Sequence, residues 1–170
     1  MIYSMRSLKK YARIVCVTMM VLFAWTNVGA AACKVLVVSA YHASFFRTSE
    51  FNKGIEEVLG ADCALTYVYL DTLTEPAGVE TKAQEAYLQY QTIQPDGVIA
   101  LGEEAQKFFV MPYLRGKVET PVMFGSVFFP EEYGYPASNV SGIKLHIPIE
   151  DTILFLQQLV PEVATLGLLF

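Results

Sequence analysis

Apolar positions along the chain fall into two kinds of stretch that take turns. The first kind is short and continuous. Lys34 to His42 reads K-V-L-V-V-S-A-Y-H, four apolar residues followed by a polar and aromatic loop. Val98 to Leu101 and Pro121 to Phe124 repeat the pattern, and Val140 to Leu145 is a shorter extended segment. Cys63 to Leu70 (C-A-L-T-Y-V-Y-L) is β-branched and aromatic, which suits a strand. Runs of this kind are buried on both faces, as in a parallel sheet.

The second kind is periodic. Phe51, Ile55, Val58 and Leu59 lie on one helical face, with Thr48 or Ser49 placed to cap the helix and Gly60 to end it. Val79, Ala83, Tyr87 and Tyr90 mark a second helix stopped by Pro95. Gly102-Glu103-Glu104 opens a third, whose apolar face is Phe108, Phe109 and Val110 and which Pro112 interrupts. Pro148 starts a fourth, with Glu150 and Asp151 in its first turn and Ile149, Ile153, Leu156 and Val160 on one face, ended by Pro161. Strands alternating with helices predict an α/β fold, a three-layer sandwich around a parallel sheet. Thr165 to Phe170 is again strand-like. An apolar strand makes a poor terminus, so the sequence reads as a fragment boundary or as a gene that ends early.

In an open α/β sheet, ligands sit beyond the carboxyl ends of the strands. The loops to inspect are therefore Ser39 to His42, Asp71-Thr72, Gly102-Glu103 and Gly125-Ser126-Val127. Several familiar chemistries fail there. A phospho-receiver needs carboxylates after its first and third strands, where this chain has Ser39-Ala40 and Gly102. No Gly-x-Gly-x-x-Gly follows the first strand, and Gly125-Ser126-Val127-Phe128 is not a Gly-x-Ser-x-Gly elbow. His42 and His146 make no metal spacing, so no metal or cofactor is expected. What remains is hydroxyls, glycines and aromatics, which is a vocabulary of binding. Gly102 before a helix N-terminus offers free amides to a carboxylate or other anion, and Gly125 lets backbone approach a ligand. Tyr41, Phe45 and Phe46 are placed to enclose an apolar or aromatic group. Plainer roles compete: His42 as a solvated loop residue, Glu103 as a partner of the helix dipole, and Asp71 as a turn former.

The N-terminus changes the picture of where the chain works. Arg6, Lys9, Lys10 and Arg13 precede the apolar run Ile14 to Trp25, and Ala30-Ala31-Ala32 follows. That order describes a secretory signal peptide over residues 1–32, with an uncleaved anchor as the alternative. The apolar fraction of the whole chain, 54%, owes part of its height to this segment. Beyond it the chain holds eight basic and 17 acidic residues, a net charge of −9. That surface excludes nucleic acid and anionic membrane as expected partners. Cys33 and Cys63 precede the first two predicted strands, so a disulfide is geometrically possible in an oxidising compartment. Lipidation of Cys33 and two free thiols are the competing readings.

K-V-L-V-V-S-A-Y-H, F-N-K-G-I-E-E, Y-L-D-T, P-D-G-V-I-A-L-G-E-E-A-Q-K, P-V-M-F-G-S-V and E-E-Y-G-Y-P-A-S-N-V-S-G-I occur in this order from Lys34 onwards. Together they resemble the ABC transporter substrate-binding proteins of the type I periplasmic-binding-protein fold, in the branch of the tryptophan- and tyrosine-binding lipoproteins. The resemblance implies a first lobe over residues 33–145 and, at 146–170, a crossover helix and first strand of a second, incomplete lobe. It implies a small molecule, amino-acid-like or aromatic, held between lobes and delivered to an inner-membrane ABC permease, without catalysis. The implied contacts are Ser39, Tyr41 and His42 from the first loop, Gly102 and Glu103 from the third, and Gly125 and Ser126 from the fourth. Glu103 departs from the small hydroxyl residues of amino-acid binders, which leaves the ligand open. The related alternative is a sensor module of a histidine kinase or diguanylate cyclase, and an exported enzyme ranks below both. With most of a second lobe absent, weak ligand binding is the expectation for this chain alone.

Overall fold

The run Val35 to Val38 forms the strand with sheet neighbours on both sides that its composition predicts. In the computed structural model, which describes residues 33–162 with Thr165 and Gly167, β1 (Cys33–Ser39) holds Leu36, Val37 and Val38 at zero exposure. The signal peptide expected over residues 1–32 and most of the Thr165 to Phe170 run lie outside the described residues. After β1 come α1 (Phe46–Leu59), β2 (Cys63–Tyr69), α2 (Val79–Ile93), β3 (Gly97–Leu101), α3, β4 (Val122–Val127), β5 (Val140–Lys144) and α4 (Ile149–Leu159). α3 begins as an α-helix at Glu103–Ala105 and widens into π turns over Gln106–Leu114.

All five strands are parallel, in the order β2-β1-β3-β4-β5. Even-numbered residues of β1 face one layer: Leu36 and Val38 join Val98, Ala100 and Val122 beneath Ala83 and Ala86 of α2 and Phe109 and Val110 of α3. Odd-numbered residues face the other, where Val35, Val37 and Leu101 meet Ile55 and Leu59 of α1. This is the three-layer α/β sandwich expected from the alternation. The first layer is complete. The second is not, because α1 covers only the β2-β1 side of the sheet. Met123 is 47% and Ile143 66% exposed on the side of β4 and β5, and α4 has no buried residue.

Four local expectations are corrected. α1 starts two residues before Thr48, with Phe45 as its N-cap and no side-chain cap, so Thr48 lies buried in the first turn. Val58 is exposed, because α1 turns Ile55 and Leu59 to the sheet instead. Pro112 does not interrupt α3; the helix runs on to Leu114, and Arg115 N–H reaches back five residues to Val110 O at 2.8 Å. An i→i−5 ladder sheds one donor at the proline and keeps the rest. Gly125 and Ser126 lie inside β4 and not beyond it, at a register shift between β4 and β5.

Cys33 and Cys63 are register partners at the start of β1 and β2, with Cα atoms 4.5 Å apart and their sulfurs joined. The bond closes a loop of 30 residues that holds α1. Restricting that loop in the unfolded chain is worth about 3.5 kcal/mol. The pair Cys33→Ala and Cys63→Ala is expected to lower unfolding stability by this amount in urea titration, and reductant should act on the wild type alone.

Candidate functional site

β1 has β2 on one side and β3 on the other, and the chain leaves β1 and β3 toward opposite faces. The loops after these two strands therefore part, and a crevice opens between them at the carboxyl edge. Backbone bonds fix its floor. Ala40 N–H donates to Leu101 O at 2.8 Å, Thr72 N–H to Ala40 O at 3.0 Å, and Gly102 N–H to Gly125 O at 3.0 Å. Gly102 has φ +93°, and a Cβ there would stand 2.7 Å from the Cβ of Ala40. Only glycine allows the first and third loops to meet this closely.

Beneath the crevice, Gln106 is fully buried and fully engaged. Its amide nitrogen donates to Ala100 O at 3.0 Å and Gly102 O at 3.1 Å, and its amide oxygen accepts from the Tyr135 hydroxyl at 3.1 Å. One side chain thus ties the end of β3, the start of α3 and the segment after β4. Nothing in the sequence pattern marked Gln106, since a glutamine in an amphipathic helix usually faces water.

Among the residues expected at the site, three converge. Tyr41, Gly102 and Ser126 line a pocket of about 10 Å³, the room of one water molecule, together with Ala40, Arg47 and Thr48. Tyr41 packs its ring 4.8 Å from that of Phe45. Burial raises its phenol pKa, the Glu104 carboxylate adds to that, and the Arg47 guanidinium opposes it. Ser126 sits at φ +58°, a left-handed position that a serine occupies at a cost.

The remaining four are placed differently. Ser39 is the last residue of β1, 1% exposed between Tyr69 and Leu101, and its hydroxyl has no partner among the described residues. His42 is exposed and shapes its own loop: Nδ1 accepts from Ser44 N–H at 3.2 Å and lies 2.9 Å from Ser44 Oγ. Glu103 turns toward β4, where Oε1 accepts from Phe128 N–H at 2.6 Å. It also stands beside Tyr133, whose hydroxyl pKa is raised by burial first and then by Glu103. Gly125 abuts the Leu101 side chain and, with Ser126, borders a second concavity.

That second concavity is an open apolar trough of about 210 Å³ on the uncovered sheet face, lined by Phe51 and Ile55 of α1 and by Ile99, Met123 and Ile143. It is larger than the crevice pocket. Its walls are mostly hydrocarbon side chains, with Ser126 and Lys144 as the polar residues on its border.

Asp71 has φ +55° and lies 3.8 Å from Lys82, consistent with a turn former. Among the described residues, no three of His, Cys, Asp and Glu gather as a metal site would require. Arg47 and Thr48 escaped the sequence reading because Thr48 was assigned to the cap position, outside the helix. Comparison with protein-family models, with curated proteins and with solved structures finds no match for this chain.

Glu103 is the latch between the third and fourth loops. Glu103→Ala leaves Phe128 N–H without its acceptor and is expected to cost about 1–3 kcal/mol in chemical denaturation.

Proposed function

We propose that this chain is the extracytoplasmic small-molecule-binding component of an ABC-type transport system. The observation that carries the reading is the crevice at the β1/β3 switch point, floored by Gly102 and walled by Tyr41 and Ser126. The crevice is a space that protein atoms leave open at the carboxyl edge of the sheet. The one hydroxyl–imidazole contact in the loop after β1, His42 Nδ1 to Ser44 Oγ at 2.9 Å, is exposed and stands outside the pocket lining.

Three further features support the reading. The joined Cys33 and Cys63 suit an oxidising compartment, in keeping with the leader at residues 1–32. The bare apolar faces of β4, β5 and α4 suit a body that packs against more protein, here the second lobe of a two-lobed binder. The crevice is shallow, as half of a site would be, and closure of the second lobe over it supplies the other half.

A half-site binds weakly and at the right place. Saturation-transfer NMR of the protein with a mixture of amino acids and aromatic carboxylic acids should give a signal for at least one compound. Tyr41→Ala, which removes the wall and leaves the sheet intact, should weaken that binding roughly tenfold. A silent mixture, or equal signals from wild type and variant, contradicts the proposal.

A further inference from the structure

The two edges of the sheet are built differently. β5, at one edge, is blunted. Its pairing with β4 shifts register between Phe124 and Val127, Gly142 lies within it, and Lys144 ends it, held by Glu131 at 3.0 Å. β2, at the other edge, has none of these devices. Its seven residues, C-A-L-T-Y-V-Y, include no charge, no proline and no glycine, and its register with β1 runs unbroken from Cys63 to Tyr69. A long, uncharged edge strand of β-branched and aromatic residues is a template for another strand.

Backbone groups show what that other strand must be. Leu70 N–H donates to Ser39 O at 2.9 Å, so the even-numbered residues of β2 turn their backbone groups toward β1. Cys63, Leu65, Tyr67 and Tyr69 turn theirs outward, where the strand order places no neighbour among the described residues. An alternating row of donors and acceptors is satisfied in full only by a strand. The row also fits a copy of itself. In an antiparallel match centred on Thr66, Cys63 faces Tyr69, Leu65 faces Tyr67, Ala64 faces Val68, and Thr66 faces Thr66. All the outward residues then fall in hydrogen-bonded pairs, and the two threonines form a non-hydrogen-bonded pair between them. Moving the centre to Leu65 or Tyr67 leaves outward groups at one end unpaired. Aromatic against aliphatic and threonine against threonine are favourable cross-strand pairs. Within the match no like charges meet, although the chain beyond residue 32 is strongly acidic.

We infer that β2 pairs with β2 of a second copy, antiparallel across a two-fold axis at Thr66, and joins two sheets into one. The inference stands apart from the binding function proposed above. The seam lies at the edge away from β4 and β5, so the trough stays open. Antiparallel pairing points the carboxyl edges of the two copies in opposite directions, so the two crevices open on opposite sides of the joined sheet. A seam one strand wide is at the small end of specific interfaces, and the dimer is correspondingly weak.

The test is sedimentation velocity of the full chain over a range of concentrations, with cysteine variants to read the register. The mass should rise toward that of two chains as concentration rises. Ala64→Lys, which seats a charge against Val68 of the other copy, should weaken this association roughly tenfold or more. Ala64 is exposed, so that variant keeps the fold. Thr66→Cys should cross-link to itself under mild oxidation, because a self-facing pair of this kind has Cα atoms about 4.5 Å apart, within the span of a disulfide. Ala64→Cys faces Val68 and should not cross-link above the wild type, which carries Cys16 and sets the baseline.

A single-chain mass at every concentration, a dimer that Ala64→Lys leaves intact, or growth past the dimer each overturn the seam. So does cross-linking by Thr66→Cys no greater than that of Ala64→Cys or the wild type. If the Thr66 variant unfolds, the mass of the wild type and of Ala64→Lys still decides.

Discussion

At Gly102 the chain leaves β3 with a positive φ and lies so close to Ala40 that no side chain fits between them. This one contact sets the distance between the first and third loops, and the crevice is the space their divergence leaves. Any larger residue would combine about 1–3 kcal/mol of backbone strain with a clash against β1's own continuation. Gln106 secures the arrangement from below by binding the carbonyls of Ala100 and Gly102, and its burial is tolerable because all its hydrogen-bonding groups in the core are engaged. The position of Tyr41, the direction of α3 and the reach of Ser126 all follow from this pinned turn.

Two concavities meet at Ser126 and compete for the role of binding site, and the larger of the two is not the better placed. The trough over β3, β4 and β5 is much the larger, but its lining is the inward face of a parallel sheet that lacks a covering layer. Parallel sheets are stable when helices or other protein shield both faces, so the trough reads as an unfinished core. The crevice pocket is small, yet it lies at the switch point and is bordered by the polar residues Tyr41, Arg47, Thr48 and Ser126. Affinity for a small polar molecule comes from such preorganised groups, whereas an apolar trough selects another apolar surface.

The sheet was legible in the sequence because burial on both faces leaves a signal that needs no context. Val35 to Val38 and Val98 to Leu101 are strands for the reason their composition gives, and the alternation with helices leads directly to the sandwich. Helix boundaries were less legible. Thr48 resembles a cap, yet the helix begins at Phe46, because the turn that His42 and Ser44 build delivers the chain already coiled. Pro112 resembles a stop, but wider turns absorb it. At the site, Tyr41 and Gly102 were visible as strand-end residues, since topology alone puts them there, whereas Ser126 reaches the pocket from inside β4. The role of Glu103 was not, because a carboxylate that serves Phe128 N–H has the same letter as one that serves a ligand. Arg47 and Gln106 depend on three-dimensional neighbours that no local pattern records.

The most direct test of where this molecule binds is a crystal structure of the protein grown with an aromatic carboxylic acid, examined for the seat of the bound molecule. The account predicts the molecule in the crevice between the first and third loops, against Tyr41, Gly102 and Ser126. A molecule bound in the trough between α1 and Met123, with the crevice empty, would contradict it.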